Sequence, residues 1–407
     1  MPGALVPYQR SSVGRTLSAM AIRPGRGPAP SRQPATAAAR HAYLDNLKVL
    51  LIAAIIAAHA LIGYSDLGGN AWAYSEVRET TLAEPTFVVL VVVAFPFGIF
   101  LIALLFLVAG LLTSGSYDRK GAGRFVHDRL LRLGAPYVVG TLLLWPALNY
   151  ALYRPLGYER GSYWDEFVRD VPTGSVMWFA AVLLVLSLGY AGLRRWRPER
   201  ARTSRPISLR ALLLLAAAVA AVSFLVRLAS PYNSWGLWGL HAWQWPECLA
   251  AFALGAIAAG QGWLVAVPEP VRRHARTATL LGALGLAVFI ALPLGFPIDY
   301  AAGGWHWQAA VAAALEGVLT VFGPVWLLAV AQRRLARPLP HGTALARSSY
   351  GAFVLQGVFL YGTALALRPV PVPAEVKAVT VALASVIGSF AVSWLLISRV
   401  PALRRVL

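Results

Sequence analysis

Asp45, Lys48 and His59 lie in RHAYLDNLKVLLIAAIIAAHALIGY, residues 40–64, a segment that starts polar and becomes apolar enough to cross a bilayer. Lys48 and His59 are 11 positions apart, so at about 100° per residue they sit roughly 20° apart around a helix. Asp45, three residues before Lys48, falls on the same side. At about 1.5 Å per residue, Lys48 and His59 are roughly 16 Å apart along the helix axis. One face of a membrane helix would then carry a charged pair near one end and an imidazole past the middle. An ionisable group within a span is costly and faces a partner or a watery cavity, so the stripe reads as the wall of an active site. A neutral imidazole can take the proton of an attacking hydroxyl, which acyl transfer to an alcohol requires.

Other residues could serve the same chemistry. Arg129 and Arg132, in RKGAGRFVHDRLLRLGAPY (119–137), are three apart and share a helical face, suited to gripping one polyanion. The competing reading of that pair is topogenic charge that binds anionic lipid headgroups. Glu247 and Glu316 fall inside apolar runs and can pair with Arg227, Lys48 or a protonated His59, or contact substrate. No His/Asp/Glu cluster has metal-ligand spacing, no GxSxG elbow occurs, and no Walker-type glycine loop supports nucleotide hydrolysis. The single cysteine, Cys248, excludes an intramolecular disulfide and reads as a small buried side chain.

The elements that must position these groups are membrane helices. The 407 residues are 58% hydrophobic and only 13% charged, with mean hydropathy +0.62; a soluble chain carries about 25% charged residues. Ten apolar blocks are expected near 44–65, 87–113, 134–153, 174–193, 209–227, 243–261, 277–294, 307–331, 347–367 and 376–398. Pro96, Pro136, Pro146, Pro246 and Pro324 fall in them, as membrane helices tolerate. Residues 1–40, basic and rich in Pro, Ser, Ala and Gly, read as a disordered tail without a signal peptide, ahead of a membrane domain over 41–407.

With ten spans, the two termini and the even-numbered connections hold 28 of the 36 Lys and Arg residues, against 7 on the opposite side. By the positive-inside pattern both termini are expected in the cytoplasm. The +19 charge is therefore a topology signal and not a nucleic-acid footprint. The outer connections 66–86 and 151–173 are acidic and aromatic, fitting interfacial anchoring or a surface for polyhydroxylated acceptors.

In these residues the chain resembles the membrane acyltransferase family 3, and more closely its glucan-biosynthesis branch, whose members succinylate periplasmic glucans. The likeness runs from about Arg40 to Leu407. YLDNLKVLLIAAIIAAHA is similar to the family's first-helix signature, a basic residue followed by histidine after ten others, here Lys48 and His59. LFLVAGLLTSGSYDRKGAGRFVHDRLLRLGAP carries the Arg-x-x-Arg pair, Arg129 and Arg132. MWFAAVLLVLSLGYA around Trp178 and Phe179, WPECLAAFALGAIAAGQGWL, RSSYGAFVLQGVFL and RVPALRRVL follow in the family's order.

The resemblance implies an all-α, polytopic enzyme of the plasma membrane, bacterial by its relatives. It would move an acyl group from cytoplasmic acyl-CoA to an outer hydroxyl, for O-acetylation or succinylation of the cell envelope. His59 would be the catalytic base, with Lys48 and Asp45 positioning or polarising. Arg129 and Arg132 would hold the CoA phosphates. Trp178, Arg227, Glu247, Glu316, Tyr350 and Gln356 complete the set as candidate substrate contacts. No permanently bound cofactor or metal is expected; the partners are acyl-CoA, the bilayer, and a glycan, metabolite or lipid-headgroup acceptor. Three positions depart from the family: Lys48 where arginine is commoner, Ala109 for a frequent serine, and Gln356 for a frequent histidine. The rival reading is a transporter or flippase of a glycan or lipid-linked intermediate. It explains intramembrane charge, but no inverted repeat is evident and the arginine pair would lack a ligand.

Overall fold

In an apolar environment every backbone N–H and C=O must be bonded within the chain, and this sequence meets that demand with helices alone. The computed structural model describes residues 33–65, 77–157, 161–170, 176–196, 206–232, 234, 239–291, 299–401 and 403, and among them there is no strand. The principal helices are α1 (Gln33–Gly63), α2 (Phe95–Arg129), α3 (Trp145–Tyr153), α4 (Trp178–Trp196), α5 (Leu209–Arg227), α6 (Trp245–Ala259), α7 (Glu269–Ala291), α8 (Trp307–Arg334), α9 (Gly342–Leu367) and α10 (Ala374–Arg399). The tail expected over 1–40 lies outside the described residues as far as residue 32.

Proline shapes the second helical stretch. Wide π-type turns cover Leu90–Ala94, Leu130–Gly134 and Gly140–Leu144, each just ahead of Pro96, Pro136 or Pro146. A proline lacks its N–H and its ring crowds the carbonyl four residues back, so the preceding turn widens to relieve both problems. Gly121, at φ 72° and ψ 164°, breaks the stretch outright and forms an elbow that an L side chain would strain.

Eight helical stretches are long and apolar enough to cross a membrane, where ten spans were expected. Two features account for the difference. Expected span 134–153 and the part of 87–113 from Gly98 onward fall in one 59-residue stretch, Gly98–Leu156, that bends at Gly121. The span expected at 243–261 is α6, whose 15 residues rise only about 22 Å, short of a core about 30 Å thick.

Three of the four apolar clusters among the described residues matter most for the site. Leu47, Leu104, Phe322, Val325 and Trp263 join α1, α2 and α8. Ile56, Phe353, Leu360 and Val381 join α1, α9 and α10, and Phe106, Val182 and Phe252 join α2, α4 and α6. α2 and α6 approach backbone to backbone: a Cβ at Gly110 would strike the Phe252 carbonyl, and one at Gly255 the Leu107 carbonyl. Small residues at such crossings give membrane helices the van der Waals contact that lipid cannot withhold.

Candidate active site

His59 sits one turn before the end of α1, half-buried, next in the chain to Ala60 of the cluster that joins α1 to α9 and α10. Its Nδ1 lies 2.8 Å from Oε1 of Gln356 on α9. The orientation of that amide is fixed independently, because Gln356 Nε2–H donates to the Phe353 carbonyl at 3.0 Å. An amide so held presents only its oxygen to the imidazole, so Nδ1 carries the proton and donates it. The proton-accepting lone pair of neutral His59 is then on Nε2. Gln356 is fully buried, so this bond is made where water does not compete.

Lys48 and Asp45 pair with each other at 3.7 Å, and the Lys48 side chain is 40% exposed. Buried Ile52, Ile55 and Ile56 occupy α1 between this pair and His59. The two polar ends of the expected stripe are thus separated by packed isoleucine. Asn46, beside them, anchors the start of the span by donating to the Leu335 and Arg337 carbonyls, both at 2.8 Å.

Arg129 and Arg132 turn apart. Arg129 lies 5.0 Å over the Phe125 ring and reaches Thr113 Oγ1 at 3.5 Å, whose own hydroxyl donates to the Ala109 carbonyl. Arg132 points outward to Asp128 at 3.2 Å, with its side chain 53% exposed. One arginine faces the helix interior and the other the surface.

Trp178 packs against His241 at 5.3 Å between ring centroids and against Phe179 at 6.5 Å; Phe179 in turn meets Phe353 at 5.9 Å. Aromatic contacts thus run from Trp178 to the residue whose carbonyl holds Gln356. Tyr350 packs beside the third cluster, with its hydroxyl buried and no hydrogen-bond partner among the described residues. Arg227 binds Glu247 at 3.0 Å and also Glu316, linking α5, α6 and α8 in a buried triad. Of the partners open to the two glutamates, the structure brings Arg227 to both. Arg227 also lies over the rings of Tyr232 and Trp243, at 5.2 and 5.8 Å.

Sequence reasoning missed the strap over the end of α1. Lys377, 2% exposed at the start of α10, pairs with Glu79. Arg78 donates to the Gly63 and Ser65 carbonyls, Arg368 to the Val77 carbonyl at 3.2 Å, and the Ala83 N–H to Glu375 at 2.8 Å. A lone lysine opening an apolar run was the available signal, because such a charge needs a partner. His241 was also passed over; its backbone is left-handed at φ 48°, a strained conformation for a non-glycine residue.

Apolar helices long enough to cross a membrane, packed around a buried charge triad, define a polytopic membrane protein. A family model for acyltransferase family 3, described as an acyltransferase domain, matches residues 41–398. The chain belongs to that family and is a membrane acyltransferase. No curated protein and no solved structure matches it.

Proposed function

We propose that the protein is an O-acyltransferase of the plasma membrane that carries an acyl group from cytoplasmic acyl-CoA to a hydroxyl of an acceptor outside. The observation that carries this reading is the Gln356–His59 bond, which leaves Nε2 of a neutral imidazole as the proton acceptor. The acceptor hydroxyl gives its proton to Nε2 as its oxygen attacks the thioester carbonyl. The carbon–sulfur bond then breaks, and the proton passes to the departing CoA thiolate. Arg129 and Arg132 hold donor phosphates at the opposite end of the bundle, and Lys48 with Asp45 neutralises charge along the donor's path. Trp178 and the aromatic outer connections receive the acceptor.

The elbow at Gly121, which divides one 59-residue stretch, favours ten crossings with the short α6 as one of them, and on that count the 28-to-7 division of basic charge favours both ends in the cytoplasm. The glucan-biosynthesis likeness favours succinyl or acetyl donors and a glycan acceptor in a bacterial envelope. The test is to incubate purified protein in lipid nanodiscs with acetyl-CoA or succinyl-CoA and a panel of glycan, metabolite and lipid-headgroup acceptors. Released CoA and the mass of each acceptor are then measured. Acceptor-dependent CoA release from the wild type, lost in His59→Gln, is the expected result. Acceptor translocation without CoA release would replace the enzyme by a transporter.

A further inference from the structure

The strap over the end of α1, residues 77–83, has little regular structure and is held from three helices at once. Its Leu82 N–H donates to the Tyr64 carbonyl at 2.9 Å, and Arg78 donates to the Gly63 and Ser65 carbonyls. Those carbonyls stand at and just past the helix end, where no helical partner remains for them, so the strap caps α1. Arg368, just after α9, donates to the Val77 carbonyl at 3.2 Å. From the first turn of α10, Lys377 pairs with Glu79 and Glu375 accepts the Ala83 N–H. These are the three helices whose shared cluster adjoins His59 and Gln356.

The strap is fastened by polar contacts more than by packing. Val77 and Leu82 are its buried apolar side chains, in one cluster with Ala60 of α1, Tyr361 of α9 and Ala378 of α10. The remaining contacts are hydrogen bonds and an ion pair, which water replaces when the segment lifts. A segment with few buried apolar contacts opens before the packed helices beside it. Lys377 specifies the closed position: its side chain is 2% exposed, and a buried ammonium needs the Glu79 carboxylate.

We infer that the strap is the gate through which the acceptor reaches His59, with the Glu79–Lys377 pair as its latch. This rests on the acyl-transfer reading above, in which the acceptor arrives from the side of the membrane where α1 ends. His59 lies four residues before Gly63, about 6 Å along the axis, beneath the capped carbonyls. A hydroxyl that comes in along that axis meets the strap first. Closing it behind the acceptor keeps water away from the acyl donor, where hydrolysis competes with transfer.

The test locks the strap in the full chain in lipid nanodiscs. In a Cys248→Ser background, Glu79→Cys/Lys377→Cys is bridged with a short bis-methanethiosulfonate, which replaces the ion pair by a reducible tether. The tethered protein should transfer acyl groups at least tenfold more slowly than the same sample after dithiothreitol, with calorimetric binding of acetyl-CoA unchanged. A second variant needs no tether. Ala60→Cys in the same background puts a thiol in the cluster beneath the strap, and a charged, water-soluble thiol reagent should modify it. Full transfer by the tethered protein overturns the gate and sends the acceptor in between helices from the bilayer. An unmodified thiol at position 60 overturns it too, even where the tethered pair does not fold. Absence of CoA release from wild type overturns the acyl-transfer reading, and the gate falls with it.

Discussion

Replacing Gln356 tests the orientation of the proposed base without touching the base itself. In Gln356→Leu the His59 Nδ1–H loses its acceptor at 2.8 Å, and the Phe353 carbonyl loses its donor at 3.0 Å. A buried donor left without a partner costs about 1–3 kcal/mol, and a neutral hydrogen bond contributes about 0.5–1.5 kcal/mol. At about 1.4 kcal/mol per tenfold, the second figure alone gives up the bias that keeps the proton on Nδ1 by roughly a factor of 2 to 13. Misalignment of the ring adds to this, so kcat should fall about 10- to 100-fold, with the donor KM unchanged. Gln356→His retains an acceptor within reach of Nδ1 and should keep activity within about fivefold of wild type, given that a remade neutral bond differs by less than about 1 kcal/mol. The assay is steady-state CoA release at saturating acceptor, with the His59 tautomer read from imidazole ¹⁵N shifts in labelled protein. Full kcat in a folded Gln356→Leu protein, with the imidazole still protonated at Nδ1, would refute the reasoning.

His59→Gln keeps size and polarity without basicity; CoA release should fall roughly 10²–10⁴-fold while calorimetric binding of the donor persists. Reporter fusions after residues 75, 120, 160 and 200 should alternate outside, inside, outside and inside, and two same-side neighbours would break the ten-span count. Arg227→Met leaves Glu247 and Glu316 buried together and should cost about 3–5 kcal/mol in detergent unfolding; Arg227→Met/Glu247→Gln/Glu316→Gln should recover most of it. Burial pushes His241 down to about 4, against about 6.5 unfolded, so the unfolded chain takes up the extra proton first. Stability from neutral His241 is therefore complete above about pH 6.5 and lost as the pH falls toward 4, and His241→Gln should flatten the decline of Tm from pH 7.5 to 5.

Much of this was legible in the chain because membrane helices announce themselves by long apolar runs, and intramembrane charge by its rarity. The pairing of Arg227 with the two glutamates could be anticipated on those grounds, since each lies in or at the end of an apolar run and opposite charges there must meet. Helical arithmetic placed Lys48 and His59 on one stripe, yet it could not say what fills the space between them. That depends on which neighbours Ile52, Ile55 and Ile56 pack against, a tertiary fact. The division between Arg129 and Arg132 was equally hidden, because residues three apart share a face in projection while their side chains choose Phe125 or Asp128 by local packing. A break between the spans at 87–113 and 134–153 was expected, but the sequence did not single out Gly121 among Gly115, Gly121 and Gly123 as the residue that makes it; its positive φ does.

Gln356 changes meaning once its contacts are known. Read in the sequence, it is a family histidine lost, and with it a second titratable group. In the fold it is an acceptor for His59 whose direction is set by a backbone carbonyl, a role that needs an oxygen at the right place and no proton equilibrium of its own. A histidine there would have to hold the neutral tautomer that presents a lone pair to Nδ1. A protonated one would present only N–H and turn its partner's donor away. The amide cannot make that error, because its nitrogen is committed to the Phe353 carbonyl. Substitution by glutamine thus removes a titration and keeps the geometry, which is why the departure at this position supports a single-base mechanism through His59.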